Sequence, residues 1–386
     1  MLIQSYDLRG IFEKDIFPSL VKKAVERYLK FLNNPSKVLI AYDSNPRSFY
    51  IKNFILEEFK SFEELGLLPT PIFYYYVIKR KIPGIMITAS HLPLKYVGMK
   101  FLLTDGSSWK PNLEIKEIKI EKFKRKKETV FKEELYDEYF SNLNKIVKNS
   151  RNKKIFVNFD LKNFFLKNSL PYFKKFKIIH SNKSKIKIKA DLDNDRITIF
   201  YKNKKIINDL IFYYLAKEKK YKILGTPIYF SKYLERKLKE TNKKIFYIET
   251  GHINFKNAYK KFKIDLAFEP SGHFYMFKDL KTEAPYLALI LFLKKIPDFE
   301  KIENLKIRRF NVKIKKDFDF ERLINFLKEK FNLNVEKFDG YFLSNKNSFI
   351  HLRKSATENV LRISLEGNKI NYFQKEIKKW FNNKKS

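Results

Sequence analysis

Three aspartates on alternate positions, Asp191, Asp193 and Asp195, followed by Arg196, form the sharpest chemical signal in the 386-residue sequence. Hard divalent cations take oxygen ligands, and a loop that presents every second side chain to one point supplies three of them. The run Asp191-Leu192-Asp193-Asn194-Asp195-Arg196 therefore reads as a loop for one Mg²⁺, the alternative being an acidic solvated turn. Calcium is disfavoured: an EF-hand loop that starts this way needs Gly at its sixth position and Glu at its twelfth, and Arg196 and Lys202 stand there.

A second signal is Thr88-Ala89-Ser90-His91-Leu92-Pro93, directly after the apolar run Gly84-Ile85-Met86-Ile87. A serine at the end of a buried strand, beside His91 and held in a Pro-limited turn, is a candidate nucleophile or phosphate carrier, although Ser and Pro are also ordinary loop residues. Lys100, on the next strand, is either a positioned cation or a surface residue. Two Gly-His turns follow, Thr250-Gly251-His252 and Glu269-Pro270-Ser271-Gly272-His273, in a chain with only five histidines and ten glycines. Histidine suits proton transfer near neutral pH, and Glu269 and Ser271 can bond sugar hydroxyls; the alternative is a pair of structural histidines. Finally, Arg353-Lys354-Ser355-Ala356-Thr357 joins a guanidinium fork to two hydroxyls, a phosphate clamp in type. Standing alone, such a loop is usually just solvated.

The elements that must position these loops alternate between β-rich runs and helical patterns, which predicts α/β layers. Lys37 to Ser44 is followed by a helical stretch over Ser48 to Gly66, and Tyr221 to Pro227 by one over Phe230 to Asn242. Four blocks are expected: 1–130, 131–224, 225–301 and 302–386. The third closes with a helix ended by Pro297, and the last reads as a small α+β unit. No internal repeat at a solenoid period is visible.

A formal net charge of +38 points at first to nucleic acid or an anionic surface. The lysines, however, run through every segment together with abundant isoleucine, asparagine and phenylalanine, as AT-rich coding would produce. No nucleic-acid or membrane partner is expected, and the positive field should attract a dianionic sugar phosphate. The absence of cysteine excludes disulfides, thiolate metal sites and a Cys nucleophile. The amino terminus lacks a basic head and long apolar body, and the longest apolar run, Ala284 to Leu293, is too short to span a bilayer, so a cytoplasmic protein is expected.

Taken in order, these residues resemble the α-D-phosphohexomutase family, in its phosphomannomutase/phosphoglucomutase branch. Tyr6-Asp7-Leu8-Arg9-Gly10 is similar to that family's Tyr-Asp-Ile-Arg-Gly opening, Thr88 to Pro93 to its phosphoserine loop, and Asp191 to Arg196 to its Asp-Gly-Asp-Gly-Asp-Arg metal loop. Thr250 to His252 and Glu269 to His273 look like its sugar loops, and Arg353 to Thr357 like its carboxy-terminal phosphate loop. The resemblance spans nearly the whole chain. It implies three related α/β domains and a smaller fourth around a central cleft. It also implies a hexose phosphate substrate, Mg²⁺ held by Asp191, Asp193, Asp195 and a phosphoserine at Ser90, and a hexose bisphosphate activator. Arg9 and Arg196 would add positive charge, Lys100, His252 and His273 would be the acid and base in an unassigned order, and His91 would flank the serine. Thr250, Gly251, Glu269, Ser271, Arg353, Ser355 and Thr357 would bind substrate. Asp43 and Arg47 would buttress the serine loop, or form a plain turn. Four positions depart from the family: Leu92 for Asn, Leu192 and Asn194 for the two glycines, and Glu249 for a Lys. Rival readings are a phosphoglucosamine mutase, an inactive relative and a basic nucleic-acid-binding protein.

Overall fold

The computed structural model describes residues 7–113, 121–125, 128–147, 153–296, 299–302, 305–315, 318–346, 348–355 and 359–382. Among the described residues, four β-sheets succeed one another along the chain, three of them mixed and flanked by helices and the last wholly antiparallel. In the first sheet the strand order is Leu8–Ile11, Tyr96–Leu102, Gly84–Ile87, Val38–Tyr42, Phe62–Leu67. Val38–Tyr42 is buried at all five positions and runs parallel to both neighbours, as expected of a strand covered on both faces. Helix Pro18–Phe31 starts on a proline and turns Leu20, Val21, Ala24, Val25 and Tyr28 inward, the spacing of one helical face.

The sequence pattern runs a helix through to Gly66, but the chain leaves it at Phe59 and forms the strand Phe62–Leu67 beside Val38–Tyr42. Gly66 breaks the helical pattern: at φ +87 it makes a bulge so close to the Val130 carbonyl that a Cβ would sit 2.3 Å from it. Leu65 and Leu67 then enter the core, while Glu63 pairs with Lys37 and Arg80.

The second sheet carries the hairpin Ile186–Ala190 and Ile197–Tyr201, with Ala190 opposite Ile197, so that residues 191–196 form its turn. In the third sheet, Lys244–Tyr247, Ile223–Thr226 and Leu266–Phe268 are parallel and Phe274–Tyr275 returns antiparallel. A division at 224 falls inside the strand Ile223–Thr226. Helix Asn208–Ala216, ahead of it, already packs on the third sheet, with the Phe212 ring stacked 4.4 Å from Phe268. A division before Asn208 keeps that unit whole.

One hydrophobic core runs continuously through the first three sheets, whereas the fourth has its own, built on Leu323, Leu327, Ile350, Ile363 and Ile377. The contacts that join the fourth unit to the third include an apolar cluster of Ile228, Tyr229, Phe342 and Phe349, hydrogen bonds from Ser231 and Lys232 to Glu366, and a bidentate pair from Arg309 to the buried Asp209 at 2.7 and 2.9 Å. Arg309→Ala leaves the Asp209 charge buried without its partner, which costs about 3 kcal/mol. The expected outcome is faster hydrogen exchange along Ile307–Lys313 and its neighbours, with the first sheet unchanged. Among the described residues, no helix is long and apolar enough to cross a membrane.

Candidate active site

The parallel strands of the first sheet deliver their following loops to one edge, the usual place for a site in open α/β sheets. Asp43 follows Val38–Tyr42, Thr70 follows Phe62–Leu67, and Ser90 follows Gly84–Ile87. Ser90 sits in the left-handed region at φ +53 and is 1% exposed. Strain of that kind persists only where the surroundings hold it. Here the Ser90 N–H donates to Thr88 Oγ1 at 2.8 Å, and nearby the buried Asp43 carboxylate accepts from the Ser48 hydroxyl at 2.7 Å and the Asn45 N–H at 3.0 Å, burial raising its pKa to about 6. Asn45 caps helix Pro46–Glu58 and donates its amide to the Leu94 and Tyr96 carbonyls, and Arg47 also donates to Leu94. The far end of the serine loop is thereby tied down. Gly98, whose added Cβ would lie 2.6 Å from the Leu8 carbonyl and 2.9 Å from that of Thr88, lets the first strand pack close.

The aspartate turn of the second sheet meets this edge. Ser90 Oγ lies 3.1 Å from Asp191 Oδ2 and 3.5 Å from Asp195 Oδ1. Thr70 Oγ1 donates to Asp193 Oδ2 at 2.7 Å, and its N–H donates to the Asp193 carbonyl. The Lys100 ammonium contacts Asp193 at 3.2 Å and Asp195 at 2.9 Å. Burial opposes the Lys100 charge, yet these two carboxylates outweigh it and hold the pKa well above the lysine range. Burial and the Asp195 and Asp193 charges push Asp191 up; Lys100, His273 and Arg196 overcome burial and hold Asp195 well below the carboxylate range. Ligand oxygens of the three aspartates lie within 4.8 Å of one another, and Asp193 Oδ1 is buried with no hydrogen-bond partner. Converging hard oxygens with one left unsatisfied are the donor set a divalent ion of the Mg²⁺ class takes.

Arginines ring the cluster. Arg9 is anchored on Asp7 at 2.9 Å and reaches the Ala89 carbonyl. Arg196 donates to His273 Nε2 at 2.8 Å and His91 Nδ1 at 2.7 Å, and stands 3.9 Å from Asp191 and Asp195. Because Arg196 is a donor, neutral His273 carries its proton on Nδ1, 3.5 Å from Glu283. The same Glu283 oxygen is 2.8 Å from His252 Nε2, so this buried carboxylate links the two Gly-His turns. Burial alone would raise its pKa; the two imidazoles bring it down to about 2.

The sugar-loop candidates form a second layer. Glu269 accepts from the Gly251 N–H at 3.1 Å and the Tyr275 hydroxyl at 2.9 Å, while Ser271 is exposed on its turn. Thr250 donates both N–H and hydroxyl to Asp339, and Asp339 stands 3.8 Å from Arg353. Ser355 accepts from Arg362 at 3.3 Å. Thr357, like Tyr6, lies outside the described residues. Asp339 thus ties a sugar loop of the third sheet to the phosphate-loop candidate of the fourth. Sequence reasoning missed Asp339, Glu283 and Thr70. Glu283 had one signal, a lone carboxylate ahead of the apolar helix Pro285–Lys295, but a helix-terminal acid is commonplace.

Residues 1–129 match the family model for domain I of phosphoglucomutase/phosphomannomutase, and residues 206–300 match that for domain III. A phosphoglucosamine mutase of Dictyoglomus turgidum is 25% identical across 93% of this chain and 92% of its own length. A phosphomannomutase of Methanocaldococcus jannaschii is also 25% identical, across 95% and 93%. A solved phosphoglucomutase/phosphomannomutase family protein of Burkholderia thailandensis shares the fold, with a TM-score of 0.75 at 16% identity over 98% of this chain and 97% of that one. Two family models together matching more than half of the sequence, and relatives aligned along almost all of it, agree with the serine and aspartate loops in placing this chain in the α-D-phosphohexomutase family.

Proposed function

We propose that the chain is a phosphohexomutase that moves phosphate between the 1- and 6-positions of a hexose by way of a phosphoserine at Ser90. One observation carries this reading: Ser90 Oγ sits 3.1 Å from Asp191, a residue 101 positions away in the three-aspartate turn. Phosphoryl transfer needs charge neutralisation and positioning more than covalent help. Mg²⁺, held by Asp191, Asp193, Asp195 and the phosphoserine, would supply neutralising charge at the transferring oxygens.

The residues of the chain do the rest. Arg9 and Arg196 hold positive charge over the serine turn. A free hydroxyl of the hexose monophosphate attacks the phosphorus; the Oγ–P bond breaks and a sugar O–P bond forms. A base takes the hydroxyl proton and an acid protonates Ser90 Oγ, with Lys100, His252 and His273 as the candidates for the two roles. The bisphosphorylated sugar then turns over and returns its other phosphate to Ser90, so a hexose bisphosphate also activates an unphosphorylated enzyme. During each half-reaction Arg353 and Ser355 hold the distal phosphate, with Thr250, Gly251, Glu269 and Ser271 at the sugar and Thr357 completing the clamp. Arg353→Ala should raise KM about 10- to 100-fold with a much smaller change in kcat, the loss expected when one charge-assisted phosphate contact is removed. An unchanged KM takes Arg353 out of the binding site.

A second reading, an aminosugar phosphate, is favoured by one residue. Glu249 is exposed beside the Thr250-Gly251 turn, where a carboxylate suits an ammonium better than a phosphate. A coupled assay with a bisphosphate activator present, comparing mannose, glucose and glucosamine phosphates, decides between them. Turnover of none of the three would overturn the mutase assignment.

A further inference from the structure

Asn194 lies at the apex of the aspartate turn, at a position where the resembled metal loop has glycine. Its backbone adopts φ +55, a conformation open to glycine and tolerated by asparagine. The substitution therefore leaves the turn geometry accessible and adds a side chain. That side chain is fully buried, and both of its polar atoms are used. Nδ2 donates to Asn163 Oδ1 at 2.9 Å and to the Asp191 carbonyl at 3.0 Å, and Oδ1 accepts from the Tyr286 hydroxyl at 3.0 Å. Asn163 Nδ2 donates to the same Asp191 carbonyl at 2.7 Å.

Two amides thus converge on the backbone of one ligand-bearing residue, and a tyrosine from another domain holds the amide at the apex. Tyr286 belongs to helix Pro285–Lys295, and its ring packs against Phe140 and Phe173 at 5.6 and 5.8 Å. A glycine in place of Asn194 would keep the backbone N–H of residue 194 and the Asn163 amide on the Asp191 carbonyl, but would remove one of its two side-chain amide donors and leave the Tyr286 hydroxyl without this acceptor. Partners that orient ligand residues set metal affinity, because a site already in its binding arrangement loses less conformational freedom when the ion arrives.

We infer that Asn194 is a positioning residue for divalent-cation binding: the Asn163–Asn194–Tyr286 bonds lock the aspartate turn and couple cation affinity to the packing of the third-sheet helix. The inference rests on the reading of Asp191, Asp193 and Asp195 as a cation site. It goes beyond that reading by giving a residue that departs from the family pattern a function of its own.

The test is Mn²⁺ binding by the full chain, followed by electron paramagnetic resonance, alongside thermal unfolding and Mg²⁺ activation of turnover. Asn194→Gly should weaken Mn²⁺ binding about 10- to 100-fold. Tyr286→Phe, which keeps the ring and removes one hydrogen bond, should weaken it about 3- to 10-fold. In both variants the Mg²⁺ needed for half-activation should rise by the same factor as the Mn²⁺ dissociation constant, and lost turnover should return as Mg²⁺ is raised. A purely structural role would instead lower the unfolding temperature and kcat and leave cation affinity unmoved, and that result overturns the inference. Should Asn194→Gly fail to fold, unchanged Mn²⁺ affinity in Tyr286→Phe overturns it equally. Tight Mn²⁺ binding by wild type with no change in either variant removes the lock alone; no Mn²⁺ binding by wild type removes the cation site, and the lock with it.

Discussion

Ser90→Ala should abolish mutase turnover, by at least about 10⁴-fold, while leaving the fold intact. The size of the loss follows from the role: with the serine oxygen gone, no other hydroxyl in the Thr88–Pro93 turn occupies the point facing the three aspartates. The fold should survive because the hydroxyl contributes little to it. Ser90 Oγ contacts Asp191 and Asp195, whereas the bond that shapes the turn, Ser90 N–H to Thr88 Oγ1, belongs to the backbone and persists in alanine. The stability change should stay within about 1 kcal/mol. Coupled-assay rates and thermal unfolding of the same preparation check both halves. Full activity with an intact fold would mean that phosphate travels by another route.

Asp193→Asn should produce the second-largest effect, a loss of Mn²⁺ affinity of more than about 100-fold, with turnover at fixed Mg²⁺ falling with it. Asparagine keeps the size of the side chain, can still accept from the Thr70 hydroxyl, and leaves the backbone bond to Thr70 in place. What disappears is the negative charge facing Lys100 at 3.2 Å and the ligand character of the unpartnered Oδ1. The alternative is that the aspartates exist only to neutralise Lys100. In that case Asp193→Asn would lower the lysine pKa and leave Mn²⁺ affinity unchanged, which titration of the ion against wild type and variant would reveal at once.

The parts of this protein legible in the sequence are those written in consecutive residues. The apolar run Gly84-Ile85-Met86-Ile87 gave both a strand and the serine turn that ends it, and the alternating aspartates gave a loop with three carboxylates aimed at one point, because local spacing fixes which side chains share a direction. Residues that act through tertiary neighbours left no such trace. Thr70 in Leu-Pro-Thr-Pro reads as a helix start, and only the fold brings it to a residue 123 positions away. Asp339 sits in an ordinary Asp-Gly turn and acquires meaning from Thr250 and Arg353. The strand Phe62–Leu67 was hidden because its glutamates continue a helical charge pattern; a single glycine and the vacant sheet edge beside Val38–Tyr42 decide the matter. The net charge of +38 pointed to no surface in particular, and the cationic groups around Ser90 that matter chemically are few: Arg9, Lys100 and Arg196.

The central claim is that Ser90 carries the phosphate that moves. Incubating the protein with Mg²⁺ and a hexose 1,6-bisphosphate, then following intact mass and the phosphorylated peptide through a single turnover, tests it most directly. The account predicts one phosphoryl group on the peptide containing Ser90, discharged to added hexose monophosphate at least as fast as steady-state turnover. A protein that turns over hexose phosphates while Ser90 stays unmodified, or whose phosphoserine never discharges, would contradict it.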